Sequence, residues 1–145
     1  MNLPEYITKE EVQRVCAEIG LRDWTQLSEP VVELKEAQII QTIIGNEAAK
    51  IPVNQFRTGL EVELEHGIVF PDANVTNNHP LLTGMIVLAH LKEMLDYYLR
   101  LEVAELDGDL FKALQKGNAD KLLSVYRKLI KSKAELVDHE NSSIA

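Results

Sequence analysis

Two histidine–carboxylate pairs carry the chemistry that this chain of 145 residues offers: Glu63 with His66, and His90 with Glu93. In each pair the partners are three positions apart, which on a helix puts both side chains on one side, about one turn apart. Imidazole nitrogens and carboxylate oxygens ligate zinc, iron and manganese, and inward-pointing Glu-x-x-His pairs recur in helical di-metal proteins. Only Glu63–His66 has that order. The second pair is reversed, and one chain supplies too few such ligands for two ions, whereas a homodimer doubles them. Glu63, His66, His90 and Glu93 are therefore the expected metal ligands, with Asp72, Tyr97, Glu61 and Arg100 as neighbours that orient them or line a pocket. A metal held there polarises a small substrate or activates water or oxygen; the residues do not choose among these, nor whether the protein is an enzyme. The competing reading is structural. His90, Lys92, Glu93, Asp96 and Arg100 also fit a solvated stripe, and Glu61, Glu63, Glu65 and His66 an acidic helix face, with His66 favoured by the helix dipole.

For the pairs to meet, two helices must approach across a loop. Phe56, Leu60, Leu64 and Gly67 mark the buried face of a helix over about residues 53–66, and Glu63 falls inside that arc. Residues 67–80 (GIVFPDANVTNNHP) read as a loop ordered by side chains that cap their own backbone. Its Asp72-x-Asn74-x-Thr76-x-Asn78 alternation lacks the glycine and distal glutamate of a calcium loop, so turn chemistry is expected. A long central helix is expected from about Leu81 to Glu105, apolar nearly all round, with His90, Glu93 and Tyr97 within about 60° of one another and Arg100 at their border.

The remaining elements are also helical. Thr8 and Glu11 form a capping-box pattern ahead of Val12, Val15, Cys16 and Ile19, with Gly20 as the stop, so a helix is expected over about residues 8–19. Residues 21–30 form a loop with Trp24 as a core lid. Leu34, Ala37, Ile40, Ile43 and Ile44 give a helical stripe whose other side is filled by Glu33, Lys35, Glu36, Gln38 and Gln41. Its β-branched isoleucines leave a strand as the alternative, and Gly45-Asn46 reads as a break. Asp107-Gly108-Asp109 punctuates ahead of a short helix at Leu110–Gln115, Asn118 caps a last amphipathic helix, and the polar tail from Asp138 frays. The class is all-α: a single small bundle of about four to six helices spanning residues 1–145.

Composition narrows the partners. Fifteen Lys+Arg against 23 Asp+Glu give a formal charge of −8, unsuited to neutralising phosphates, so no nucleic acid is expected. No apolar run approaches the roughly 18 residues of a membrane span, and a secretion signal is absent from the N-terminal residues, so a cytoplasmic protein without membrane contact is expected. Cys16, the single cysteine, reads as inert core.

FRTGLEVELEHG at residues 56–67, NVTNNHPLLTG from Asn74 to Gly84 and IVLAHLKEMLDYYLRLE from Ile86 to Glu102 resemble the pattern of a family of small, functionally uncharacterised prokaryotic proteins. The resemblance covers about residues 53–105, and more weakly the first helix with Asp23-Trp24. It implies that Glu61, Glu63, Glu65, His66, Thr76, His90, Glu93, Asp96, Tyr97 and Tyr98 belong to the shared pattern, and it brings no reaction with it. Two departures are expected to matter. The stretch at about residues 27–50 is longer than that family's connection and is a candidate dimerisation or partner-specific element, with Ile39, Ile40, Ile43 and Ile44 as its contact face. Met94-Leu95 replaces a proline-containing turn, so the central helix is expected to run straight.

Three functions follow: a metal-binding helical protein, a non-enzymatic interaction protein such as a helical homodimer, or a metal-free binder with Tyr97, Tyr98 and Trp24 lining its pocket.

Overall fold

The computed structural model describes residues 5–45 and 47–144, and among them every regular element is a helix. The elements are α1 (Lys9–Ile19), α2 (Leu34–Ile44), α3 (Val53–Val69), α4 (Pro80–Glu93), α5 (Tyr97–Gln115) and α6 (Ala119–Ile144), with short 3₁₀ turns at Trp24–Gln26 and Ala48–Lys50. They fall into two compact units that divide between Glu93 and Met94.

In the first unit α2, α3 and α4 pack pairwise, and α1 packs on the turn carrying Trp24. Val12, Cys16, Trp24, Val32, Ala37, Ile40, Phe56, Leu60, Leu64 and Val87 form its core, each at most 2% exposed. α1 begins as its sequence dictates: the Thr8 hydroxyl accepts from the Glu11 amide at 3.2 Å. It ends at Gly20 in the left-handed region, where the Gly20 and Leu21 amides reach back to the Ala17 and Cys16 carbonyls as in a Schellman motif. The close approach of α2 to α4 depends on Gly84. A β-carbon there would lie 2.5 Å from Ile44 Cδ1 and 2.7 Å from Ile40 Cγ2. The isoleucine cluster expected to face a partner is thus divided: Ile40 is fully buried, Ile44 half-buried on Gly84, and Ile43 exposed. α2 stops at Ile44; of the expected Gly45-Asn46 break, Asn46 lies outside the described residues.

Two charged or polar residues assigned to the outer side of α2 are in fact inside. The side-chain amide of Gln41 donates to the Ala48 and Ile51 carbonyls at 2.6 and 2.7 Å, closing the following turn. Glu36 is 4% exposed and accepts from the Arg22 guanidinium (2.6 and 3.1 Å), the Arg22 and Glu33 amides (3.2 and 3.0 Å) and the Trp24 indole (3.3 Å). Burial pushes its carboxyl up, but these donors outweigh it and hold Glu36 below the ordinary carboxylate range. Trp24 is the expected core lid, and its ring N–H is part of this node. Cys16 is buried, and desolvation pushes its thiol up, which leaves it inert.

The second unit is a helical hairpin of α5 and α6, joined at Gly117-Asn118. Gly117 takes positive φ, and Asn118 Oδ1 accepts from the Lys121 amide at 2.9 Å to start α6. Two boundaries differ from the expectation here. Asp107-Gly108-Asp109 does not punctuate, since a glycine in a helix interior costs only about 1 kcal/mol and α5 runs through it to Gln115. The tail from Asp138 is helical: α6 continues to Ile144, Ser142 and Ser143 hydroxyls donate to the His139 carbonyl, and Glu140 accepts from Arg100 at 2.6 Å.

The largest correction concerns the long central helix. It breaks over Met94–Asp96, where the sequence was expected to run straight, and two helices replace one. Asp96 is the break's physical signature. Short acidic side chains are poor in helix interiors, and Asp96 stands at the N-cap position of α5 without capping the backbone, its carboxylate turned to Arg100 at 2.7 Å.

Candidate functional site

Glu63 is the centre of the site. It lies on α3 between the buried Leu60 and Leu64, and its side chain is 16% exposed. One carboxylate oxygen faces His66 Nδ1 at 3.9 Å, one turn along the same helix. The other faces His90 Nε2 at 3.6 Å, from the end of α4. The sequence pairs Glu63–His66 and His90 therefore do meet, as one carboxylate between two imidazoles. Glu93 is exposed at the last residue of α4. Among the described residues no group of three or more His, Cys, Asp and Glu side chains is arranged to hold a metal ion.

A cavity of about 280 Å³ opens beside this cluster. Glu63 and His66 form one wall, Phe70, Val75 and Ile86 supply apolar surface, and Asn74 closes the loop side. The loop over residues 70–79 is built by its asparagines. Asn74 Nδ2 donates to the Gly67 carbonyl at 3.2 Å and to Asn78 Oδ1 at 2.8 Å, while Thr76 donates to Asn74 Oδ1 at 3.3 Å. This is the turn chemistry expected of the alternating Asp72–Asn78 stretch. Gly67 makes it possible from the helix side, because a β-carbon there would collide with the Asn78 and Asn74 side chains. α3 continues past Gly67 to Val69, so the glycine serves loop packing and not termination.

The expected neighbours separate by role. Glu61 accepts from the Val32 amide at 3.1 Å and so ties α3 to the segment before α2. Asp72 is exposed in the loop. Tyr97 and Arg100 belong to the second unit, where Tyr97 stacks edge-on against Tyr98 at 5.1 Å and Arg100 bridges Asp96 and Glu140. The shared face inferred for His90, Glu93, Tyr97 and Arg100 assumed one continuous helix, whereas α4 ends at Glu93 and α5 begins at Tyr97.

Sequence reasoning missed the cavity lining at Phe70 and Asn74, and also His79; Ile86 lies on the helix face that periodicity gives to His90. Phe70 is an apolar residue that periodicity assigns to no site. His79 is 7% exposed and accepts from the Leu82 amide at 3.4 Å at the start of α4. Burial holds its ring below the ordinary imidazole range. The run Asn77-Asn78-His79-Pro80 was the available signal, since a capping side chain before a first-turn proline marks a helix start.

A family model described as "Protein of unknown function (DUF5661)" matches residues 12–107. The chain belongs to this family. The DUF5661 region takes in α1 from Val12, all of α2 to α4 and α5 as far as Asp107, and with them Glu63, His66, His90 and the asparagine loop. No curated protein and no solved structure matches the chain.

Proposed function

We propose that this DUF5661 protein is a small-molecule binder whose cavity takes a compact organic cation with an apolar body, gripped by Glu63. One observation carries the reading. A largely buried carboxylate, flanked by the imidazoles of His66 and His90, stands on the wall of a 280 Å³ cavity whose other surfaces include Phe70, Val75 and Ile86. Ligand pockets begin at about 300 Å³ and combine apolar walls with few polar groups, so the occupant is a single ring or short chain. Glu63 supplies the charge and hydrogen-bond acceptor, and the rings on either side fix its orientation and can pass a proton. The formal charge of −8 favours approach of a cation.

A second reading, bound zinc, iron or manganese, is favoured by the two imidazoles that face one carboxylate. It requires a rearrangement, because the two rings address different oxygens of Glu63. In that reading His66, His90 and Glu63 are the ligands, and Glu93 joins only if its exposed side chain turns inward.

Titration with benzylammonium chloride, followed by amide and imidazole NMR signals, tests both. The expected result is saturating shifts at Gly67, Phe70, Asn74 and Ile86 with a Kd near 1 mM, as suits a ligand of about eight heavy atoms. Glu63→Gln abolishes them, and benzyl alcohol is at least about tenfold weaker, the loss of one charge-assisted hydrogen bond. No response to benzylammonium overturns the cation reading. Stoichiometric zinc binding that shifts both ring signals and is lost in His90→Ala establishes the metal instead.

A further inference from the structure

We propose that α6 is a self-association surface, on which a second copy of this chain docks antiparallel. The inference is independent of the cavity and of its ligand.

α6 carries two apolar stripes. Val125, Leu129 and Ser132 are buried, in keeping with the packing of α6 on α5. Leu123, Tyr126, Ile130 and Val137 are about half exposed, and Ile144 is 85% exposed. At about 100° per residue these five fall within about 60° of one another and roughly 110° from the buried stripe. Leu123, Ile130, Val137 and Ile144 recur every seven residues, the repeat that seats one helix along another. Of the isoleucines of α2 that the sequence nominates for this role, Ile40 and Ile44 pack on Gly84, so α2 keeps only Ile39 and Ile43 towards its surface, a shorter row than that of α6.

Charge specifies the occupant and its direction. Along α6, Lys121, Arg127, Lys128, Lys131 and Lys133 precede Ala134 against the single acid Asp120. Beyond Ala134 stand Glu135, Asp138 and Glu140 with no lysine or arginine. A parallel copy would set like against like. An antiparallel copy, with its two-fold axis midway between Ile130 and Val137, sets Ile130 against Val137 and Leu123 against Ile144 and brings Arg127, Lys128 and Lys131 of each helix opposite Glu140, Asp138 and Glu135 of the other, and like-charge juxtaposition is what excludes the wrong register.

Size fits a reversible pair. A helix of 26 residues is about 39 Å long and about 10 Å wide, so α6 alone offers on the order of 800 Å² over two copies. That is below the roughly 1,200 Å² of stable complexes. Phe111 and Leu114, 60% and 63% exposed near the end of α5, are further exposed apolar residues of the hairpin. Dissociation in the micromolar range follows.

Sedimentation velocity of the full chain from about 1 to 200 µM, a span bracketing that range, tests the proposal. The mass is expected to rise from 16.4 kDa towards twice that value. Ile130→Glu, at a half-exposed position, raises the dissociation constant at least tenfold with unchanged helical circular dichroism. Spin labels on Ser142→Cys in a Cys16→Ala background read direction: antiparallel copies place them about 26 Å apart along the axis, parallel copies about 10 Å. A chain that stays monomeric, association indifferent to Ile130→Glu, or the short label distance each overturns the proposal. So does binding to anionic phospholipid vesicles by a chain that does not self-associate.

Discussion

Glu36 and Glu63 are both glutamates on inward-facing positions of neighbouring helices, and they are held in different ways. Glu36 is enclosed by the Arg22 guanidinium, two backbone amides and the Trp24 indole at hydrogen-bond distance. Glu63 faces two imidazoles at 3.6 and 3.9 Å across a margin that opens into a cavity. The first arrangement leaves little room for anything but folding, because removing one partner of a buried charge network strands the others. The second keeps a carboxylate next to space. The difference separates an acid enclosed by donors from one that borders a cavity, and it was not visible in residue type.

The comparison can be broken most directly at Glu36. Glu36→Ala leaves the indole N–H and the Arg22 charge uncompensated and is expected to lower unfolding stability by about 3 kcal/mol, the lower end for buried pairs because Arg22 reaches solvent. Urea denaturation measures it, and a loss below about 1 kcal/mol would reduce Glu36 to an ordinary surface acid. Gly84→Ala comes next. Its β-carbon forces Ile40 and Ile44 aside, and overpacking of this kind costs about 1–3 kcal/mol by the same measurement.

A pH series sharpens the contrast further. The His79 ring is held below its ordinary 6.5, so as the pH falls past 6.5 the unfolded chain takes up a proton before the folded one, and stability declines. Glu36 is held below its ordinary 4.5, so its contribution is complete above that value and is lost as the pH falls through the lower folded value. Denaturation midpoints are expected to fall in both windows. His79→Asn, which keeps a capping side chain, removes the upper decline alone, and Glu36→Gln flattens the lower one. The smallest effect belongs to the site itself: Glu63→Gln changes stability by less than about 1 kcal/mol while abolishing the benzylammonium response. A loss as large as that of Glu36→Ala would make the two acids alike.

Much of the fold is legible in local chemistry. Thr8 and Glu11, Gly20, and Gly117-Asn118 act through neighbours in sequence, and their boundaries appear where the residues put them. The errors arise where the deciding partner is remote or where one residue outweighs a pattern. Glu36 was assigned outward by type, and its guanidinium partner lies 14 positions away. The leucine-rich stretch through Met94 and Leu95 reads as uninterrupted helix, and Asp96, held by Arg100, marks where it stops. Within the first unit the candidate site was readable: Glu63, His66 and His90 meet across two helices whose inner faces are marked by apolar spacing. Placing Tyr97 and Arg100 on the face of His90 presupposes one continuous helix, and α4 ends at Glu93.

One loop detail reaches beyond its own turn. Asn77 and Asn78 both hold positive φ, at 48° and 62°, and Asn77 Nδ2 donates to Glu5 and to the Ile7 carbonyl. Glycine alone would accept that backbone without strain, and glycine at position 77 would cut both cords. The wall that closes the cavity is therefore moored to the lead-in of the first helix. An affinity tag or truncation at that end is expected to alter how long a guest stays, with no atom of the guest within its reach.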